Sequence, residues 1–270
     1  MPARCTSKRS ALTLVEMLLA VSILSIMAVA LGTLAMTIQT SNAHVTAQGE
    51  AAQHARVAIS RIERAVNNAH ASAEFPGVYV FVESVNGWNF PDVLVVWRPS
   101  GSAAHPDGRP LFSELTVFCP DPVEPWRLLE IRTPQDTRPT PPISQTASWR
   151  AELAAIRSDV SAERVELTDL LRVGSVTSGG LATDVRGAVF FHVRVLPSLT
   201  QWEQFQAGDV AWEDLDWAQS VSGSSAGLRQ SWCAVELQLL PRSGDNHFDL
   251  TGDRVIPFFG SAAIYYELRR

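Results

Sequence analysis

Lysine is almost absent from this sequence: Lys8 is the only one among 270 residues, and arginine supplies the other basic side chains. The formal net charge is −6 at pH 7. Proteins that bind nucleic acids neutralise phosphates with clusters of lysine and arginine. The acidic balance therefore disfavours nucleic acid as a partner.

The common signatures of catalysis and cofactor binding are also missing. The sequence has no G-x-S-x-G elbow, Walker loop or dinucleotide fingerprint, and none of its six histidines forms a metal-ligand pair beside a glutamate. No residue is nominated as the base that a Cys119 nucleophile would need. We therefore expect a protein that is not an enzyme and has no cofactor.

Charge is missing from the 22 residues between Met17 and Ile38. At about 1.5 Å per residue, a helix of this length crosses a hydrocarbon core about 30 Å thick. Basic residues precede this run, which predicts a cytoplasmic N-terminus and an extracytoplasmic head. We predict a single-pass membrane protein with its N-terminus inside and its head outside the cytoplasm. The basic residues are Arg4, Lys8 and Arg9.

A cleavable secretory signal is the alternative interpretation of this segment. Such signals have an apolar region of about 7 to 15 residues that ends at a small-residue cleavage site. Here the apolar run is longer and continues into a helix-compatible sequence, with no proline between Pro2 and Pro76. The pattern favours a retained helix.

Glu16 is a carboxylate at the edge of the apolar run, where a charge costs free energy and usually has a partner. One explanation is local, because a negative charge in the first turn of a helix interacts favourably with the helix dipole. The surrounding string, KRSALTLVEMLLAVSILSIMAVAL, offers a second explanation. It resembles the class III signal of type IV pilins and type II secretion pseudopilins.

The resemblance implies a processing event and an assembly role. In that family a prepilin peptidase cuts after a small residue, nearly always glycine, and methylates the new N-terminus. The matching cut falls between Ala11 and Leu12, so Leu12 would be methylated and Glu16 would have the position of the family's assembly glutamate. Two residues depart from the family pattern, since Ala11 replaces glycine and Leu12 replaces phenylalanine.

The segment from Ser41 to Ala73 is amphipathic rather than apolar all round. Its apolar side chains recur at helical spacing, which predicts a face that packs on a sheet. We predict one helix from Leu12 to Ala73, with a transmembrane half (12–38) and an amphipathic half (39–73). Two helices with a break near Gly49 are the alternative. The apolar stripe comprises Ala55, Ile59, Ile62 and Val66.

Beyond Glu74 the pattern changes to short β-branched and aromatic runs between turn residues. A further strand, interrupted near Pro257 and Gly260, is expected at the end of the chain. A Pro-rich segment, 132–146, predicts an exposed semi-rigid loop, and a short helix with Ser148 as N-cap follows it. The predicted strands are 77–85, 92–98, 114–119, 126–132, 188–196 and 232–240.

These elements predict an α+β, pilin-like fold in which the long helix packs on an antiparallel sheet. The predicted organisation is a cytoplasmic leader (1–11), the helix (12–73) and one β-rich head (74–270) with one elaborated sheet. The resemblance is greatest to the larger minor pseudopilins, the J-type subunit of type II secretion and the W-type minor pilins. It implies a non-enzymatic subunit of a secretion pseudopilus whose partners are other pseudopilins.

Two other functions stay open on the sequence alone. A minor pilin of a surface type IV pilus shares every residue argument given above. A membrane-anchored binding module or hydrolase would require the likeness to the class III signal to be accidental. An uncleaved N-terminus would favour this second alternative.

Cys119 and Cys233 are a candidate disulfide pair, because Cys5 would leave with the leader and the head would be in an oxidising compartment. Two buried, unpaired cysteines are the alternative. A disulfide requires the two Cα atoms to lie within about 7 Å, which spacing in sequence does not determine.

Two clusters in the head suggest weaker sites. The segment SGDNHFDLTGDR has enough oxygen ligands to hold Ca²⁺, although it does not match an EF-hand, and a solvated turn is the alternative. Three tryptophans lie among acidic residues and suggest either a ligand surface or core packing. The candidate Ca²⁺ ligands are Asp245, Asn246, Asp249 and Asp253, and the tryptophans are Trp202, Trp212 and Trp217.

Overall fold

The first element of the protein is one uninterrupted helix, α1 (Leu14–Asn67). The computed structural model describes residues 13–178, 181–215, 217–218, 227–241 and 255–268. Gly49 lies within α1 and does not break it, so the prediction of a single helix is confirmed. The helix ends six residues before Ala73. The chain divides between Ala47 and Gln48 into two compact units.

The second unit is an α+β head, and this confirms the predicted fold class. Its first part is residues 48–67 of α1, and antiparallel strands with two shorter helices follow in the described chain. These are β1 (Val78–Val85), β2 (Trp88–Trp97), β3 (Leu115–Pro120), β4 (Leu128–Arg132), α2 (Thr146–Ser158), β5 (Glu163–Thr168), β6 (Val173–Ser178), β7 (Leu181–Gly187), β8 (Val189–Leu196), α3 (Leu199–Ala207), β9 (Leu228–Leu239) and β10 (Ile256–Glu267).

The strands form three sheets, so the expectation of one elaborated sheet is wrong. The largest has the order β1-β2-β3-β4-β5, the second has the order β10-β9-β8, and β6 and β7 form a separate hairpin. Strands were predicted where β1 to β4 and β8 to β10 occur. The prediction missed β5 to β7 because their sequences are polar or contain glycine, which weakens the signal for a strand.

The five-stranded sheet is covered on both faces. Side chains of a strand alternate between its faces. Leu94 and Val96 of β2 therefore belong to the cluster that contains Ile62 of α1, whereas Val95 belongs to the opposite cluster, with Trp149 of α2. The predicted stripe of α1 is confirmed, since Ala55, Ile62 and Val66 are buried and Ile59 packs against the same cluster.

The same helix also contacts β10 of the three-stranded sheet. A Cβ atom on Gly260 would overlap the Cγ2 atom of the Ile59 side chain, so the helix and the strand approach closely at this glycine. The Ser261 N–H donates to Oε1 of Glu63 at 3.1 Å. β10 continues through Pro257 and Gly260, so the predicted interruption is wrong. It is an edge strand, where proline is tolerated.

Helix α2 and the loop before it differ from expectation in detail. The N-cap of α2 is Gln145, without a side-chain capping bond, so the prediction of Ser148 as N-cap is wrong. The 132–146 loop is only partly exposed, because it is hydrogen-bonded to the segment that leads into β3. Phe112 N–H donates to the Arg138 carbonyl at 3.0 Å, and Arg109 Nη1 donates to the Thr140 carbonyl at 2.8 Å.

Candidate functional site

The candidate assembly site is the first turn of α1, where Thr13 and Glu16 cap the helix reciprocally. The Thr13 backbone N–H and the Thr13 hydroxyl both donate to Oε2 of Glu16, each at 2.9 Å. In return the Glu16 N–H donates to Thr13 Oγ1 at 3.3 Å. This is a capping box, and it satisfies backbone donors that a helix start otherwise leaves free.

The Glu16 carboxylate keeps one oxygen available. Both bonds from Thr13 end on Oε2, and Oε1 accepts no hydrogen bond from the residues that the structure describes. The T-x-x-E spacing at residues 13–16 is the sequence signature of a capping box, so it could have identified Thr13 as the partner of Glu16. The sequence analysis missed this role of Thr13.

The surface that follows Glu16 is apolar on every side. Each residue from Thr13 to Thr46 is exposed, and Glu16 is the only charged side chain between Leu14 and Ile38. In the described chain, α1 is the one helix long and apolar enough to cross a membrane, with a mean hydropathy of 2.5 in its most apolar window. The protein is therefore anchored in a membrane by a single span.

Hydroxyl groups within this apolar segment are satisfied by the helix itself. Ser22 Oγ donates to the Leu18 carbonyl and Ser25 Oγ donates to the Val21 carbonyl, both at 2.8 Å. Thr37 Oγ1 donates to the Thr33 carbonyl at 2.9 Å. Bonds of this kind let small polar side chains enter a hydrocarbon environment without an unpaired donor. The Glu16 carboxylate differs from these hydroxyls, because its Oε1 atom has no hydrogen-bond donor among the described residues.

The predicted processing residues, Ala11 and Leu12, lie outside the described residues. A cut between them would leave Thr13 as the second residue of the chain. The Thr13 nitrogen would still be an amide, so the capping box with Glu16 is compatible with processing at this bond. Cleavage and methylation at Leu12 stay predictions.

The candidate disulfide is not formed. Cys119 and Cys233 are both free and buried, and they belong to separate clusters on opposite faces of the five-stranded sheet. The sheet between the two thiols prevents their approach. Burial in apolar surroundings raises the pKa of each thiol to about 12. The structure thus has the alternative arrangement, two buried and unpaired cysteines.

The remaining candidates separate into packed and undescribed residues. Trp202, Trp212 and Trp217 are buried together with Phe205 and Leu215, so core packing rather than a ligand surface explains them. The proposed Ca²⁺ ligands, residues 245, 246, 249 and 253, lie outside the described residues. Across the described ranges, no three His, Cys, Asp or Glu side chains are grouped so that they could hold a metal ion.

Comparison with known proteins identifies a motif at the start of the chain. Residues 6–32 match the family model of the prokaryotic N-terminal methylation motif. The matched region contains Ala11, Leu12, Thr13 and Glu16 together with the apolar run as far as Gly32. No curated protein and no solved structure matches the chain.

Proposed function

We propose that this type IV pilin-like protein is a minor pseudopilin of a type II secretion pseudopilus, a structural subunit that supports protein export. The methylation motif indicates a subunit of a pilus or pseudopilus. Such a subunit is processed by a prepilin peptidase and assembles with other pilins. The observation that carries the proposal is this motif at the start of an unbroken helix, whose first part, as far as Ile38, has one carboxylate on an otherwise apolar surface.

Assembly through the helix follows from the electrostatics of its first turn. When apolar helices of several subunits pack together, the Glu16 carboxylate loses contact with water and needs a counter-ion. A neighbouring chain cut before Leu12 offers its terminal ammonium. Thr13 holds Oε2 of Glu16 by two hydrogen bonds, and Oε1 can accept a charge-assisted bond from that ammonium. The pairing would fix the register between subunits.

The size of the head supports a minor rather than a major subunit. The unit that begins at Gln48 carries a second helical layer on the five-stranded sheet and two further sheets. A repeating filament shaft tolerates little bulk on each subunit, whereas the tip accommodates it. We place the N-terminus in the cytoplasm, the span in the inner membrane and the head in the periplasm, where the partners are other pseudopilins.

The first test is the N-terminal mass of the full chain extracted from its native membrane. The expected N-terminus is methylated Leu12. A chain that begins at Met1 or Pro2 would overturn the assembly role and favour a membrane-anchored binding module or hydrolase. In that case Glu16 is only the local cap of a plain anchor helix.

A second test separates secretion from a surface pilus, the alternative within the same class. Deletion of the gene should abolish export of folded proteins to the medium and leave surface pili and twitching motility unchanged. The reverse result would overturn the secretion role in favour of a type IV pilus minor pilin. Complementation with the intact gene is the control for both readouts.

A further inference from the structure

A groove of about 820 Å³ lies between the open edges of two sheets in the head. β1 is the outer strand of the five-stranded sheet, and β8 is the outer strand of the three-stranded sheet. Neither Val78–Val85 nor Phe190–Leu196 is joined on its outer side to another described strand by backbone hydrogen bonds. The outer edges of both strands therefore have backbone N–H and C=O groups that are not bonded to another described strand, and these edges border the groove.

The strand registers identify which residues present these groups. The Gly77 carbonyl accepts from Trp97 N–H at 2.8 Å, and the Ala188 carbonyl accepts from Gln238 N–H at 3.0 Å. In an antiparallel ladder every second residue bonds to its partner strand, and the residues between direct N–H and C=O outward. The outward residues that line the groove are Val78, Val80, Phe191, Val193 and Val195.

Arg229 lines the same groove as a buried cation. It is 3% exposed, its Nη2 donates to the Pro197 carbonyl at 3.3 Å, and its Nε has no hydrogen-bond partner. Its guanidinium carbon lies 5.2 Å from the centre of the Trp202 ring and 5.9 Å from that of Tyr266. Aromatic rings thus hold the guanidinium in place on two sides.

No carboxylate of a described residue forms an ion pair with Arg229, and burial lowers its pKa because the charged form loses water. Three other charged side chains line the groove: Arg109 and Glu74 pair with each other at 3.2 Å, and Glu203 is exposed and forms no ion pair with Arg229. A buried charge without a counter-ion is costly and usually has a partner.

We infer that the groove is a docking site for an extended, acidic segment of a partner polypeptide, which adds a strand to the open edge of β8 and places a carboxylate on Arg229. Strand addition of this kind takes affinity from main-chain hydrogen bonds and specificity from alternate side chains. Arg229 lies at the Leu196 end of β8, because Leu196 pairs with Gln230. The acidic side chain therefore belongs at that end of the added strand. This site does not depend on the proposed assembly through α1.

The test uses the full chain in nanodiscs of zwitterionic lipid and fluorescence anisotropy of two labelled, amidated peptides, TVTVTVE and TVTVTVQ. The glutamate peptide should bind roughly tenfold or more tightly than the glutamine peptide, since a charge-assisted hydrogen bond is stronger than a neutral one. Equal affinities, or no binding of either peptide, would overturn the inference. Because this comparison uses the wild-type protein, misfolding of a variant does not affect it.

Three variants test the geometry. Arg229→Met should abolish the preference for glutamate, and a preference that persists would overturn the role of Arg229. Val193→Pro removes an outward N–H of β8 and should abolish binding of both peptides. Val80→Pro makes the matched change on β1 and should leave binding intact. Loss with Val80→Pro and not with Val193→Pro would overturn the assignment to β8.

Discussion

The carboxylate of Glu130 on β4 is buried and accepts a hydrogen bond from Nε of Arg61 on α1. Glu130 is only 3% exposed. The hydrogen bond to Glu130 raises the pKa of Arg61, so the arginine is charged at every physiological pH. The pair joins the helix to the five-stranded sheet at a position where an unpaired carboxylate would be costly. It therefore contributes more to the docking of α1 than an ion pair between two exposed side chains.

Arg61→Met is expected to destabilise the head, because it leaves Glu130 buried without its counter-charge. A buried polar group left unsatisfied costs about 1 to 3 kcal/mol, and because the Arg61 side chain is itself 45% exposed, the larger penalty of a fully buried ion pair does not apply. The measurement is urea unfolding of the full chain in detergent micelles, followed by tryptophan fluorescence. Arg64→Met, at an exposed position on the same helix, is the matched control and should change the free energy of unfolding by about 0.5 kcal/mol or less.

The double variant Arg61→Met with Glu130→Met tests the cause of this loss. An apolar pair can replace a buried ion pair at little cost, so most of the stability should return. A double variant as unstable as Arg61→Met alone would contradict the explanation by buried charge.

Gly260→Ala should destabilise the head by about 1 to 3 kcal/mol, because the new methyl group would overlap the Ile59 side chain. Such overpacking separates α1 from β10 or forces Ile59 out of its rotamer. The same unfolding measurement checks this expectation. Ile59→Ala should recover part of the loss in the double variant, since it removes the atoms that the methyl group meets.

Gly49→Ala is the matched control for the glycine substitution. Gly49 lies in α1, and nothing outside the local helix backbone lies within 4 Å of a Cβ placed there. Alanine in a helix interior is favoured over glycine by about 0.5 to 1 kcal/mol. The substitution should raise stability slightly. A loss equal to that of Gly260→Ala would show that close contact with Ile59 is not the reason for glycine at 260.

Cys119 and Cys233 should resist alkylation in the folded protein, because burial raises both thiol pKa values to about 12 and thiolate is the reactive form. At pH 8, iodoacetamide should leave the folded chain unmodified. After unfolding without reductant, a chain that begins at Leu12 should gain two carbamidomethyl groups by mass. Their absence before reduction would contradict the free-thiol arrangement.

The elements that bury one face were predictable from the sequence, whereas their grouping was not. The stripe of Ile62 and Val66 predicted a packed helix, and the β-branched and aromatic run at 188–196 predicted the strand β8. The choice between one sheet and three depends on which strands pair. Local pattern does not specify that pairing, and β6 and β7 have too little apolar alternation to be recognised.

The candidate site was also partly predictable. Glu16 was identified because a carboxylate in an apolar run is conspicuous, and its partner Thr13 follows from the T-x-x-E spacing. Arg229 gave no such signal, since its burial and its missing counter-ion depend on the distant residues Trp202, Pro197 and Tyr266. Long-range contacts of this kind exist only in the folded chain.

Glu16→Gln should leave membrane insertion intact and impair assembly, because the amide keeps the size of the side chain and removes the charge that a neighbouring ammonium would meet. Insertion is measured by resistance to carbonate extraction, and assembly by co-purification of partner pseudopilins. Glu16→Ala should behave in the same way.

Thr13→Val is the matched control, since it removes the hydroxyl that contacts Glu16 and keeps the backbone N–H that donates to Oε2. The loss of the two bonds that the hydroxyl makes, one to Oε2 of Glu16 and one from the Glu16 N–H, should weaken assembly only partly, whereas loss of the charge should abolish it. Unchanged co-purification with Glu16→Gln and Glu16→Ala would show that the carboxylate only caps its own helix. The apolar surface of α1 would then have to set the register between subunits by packing alone.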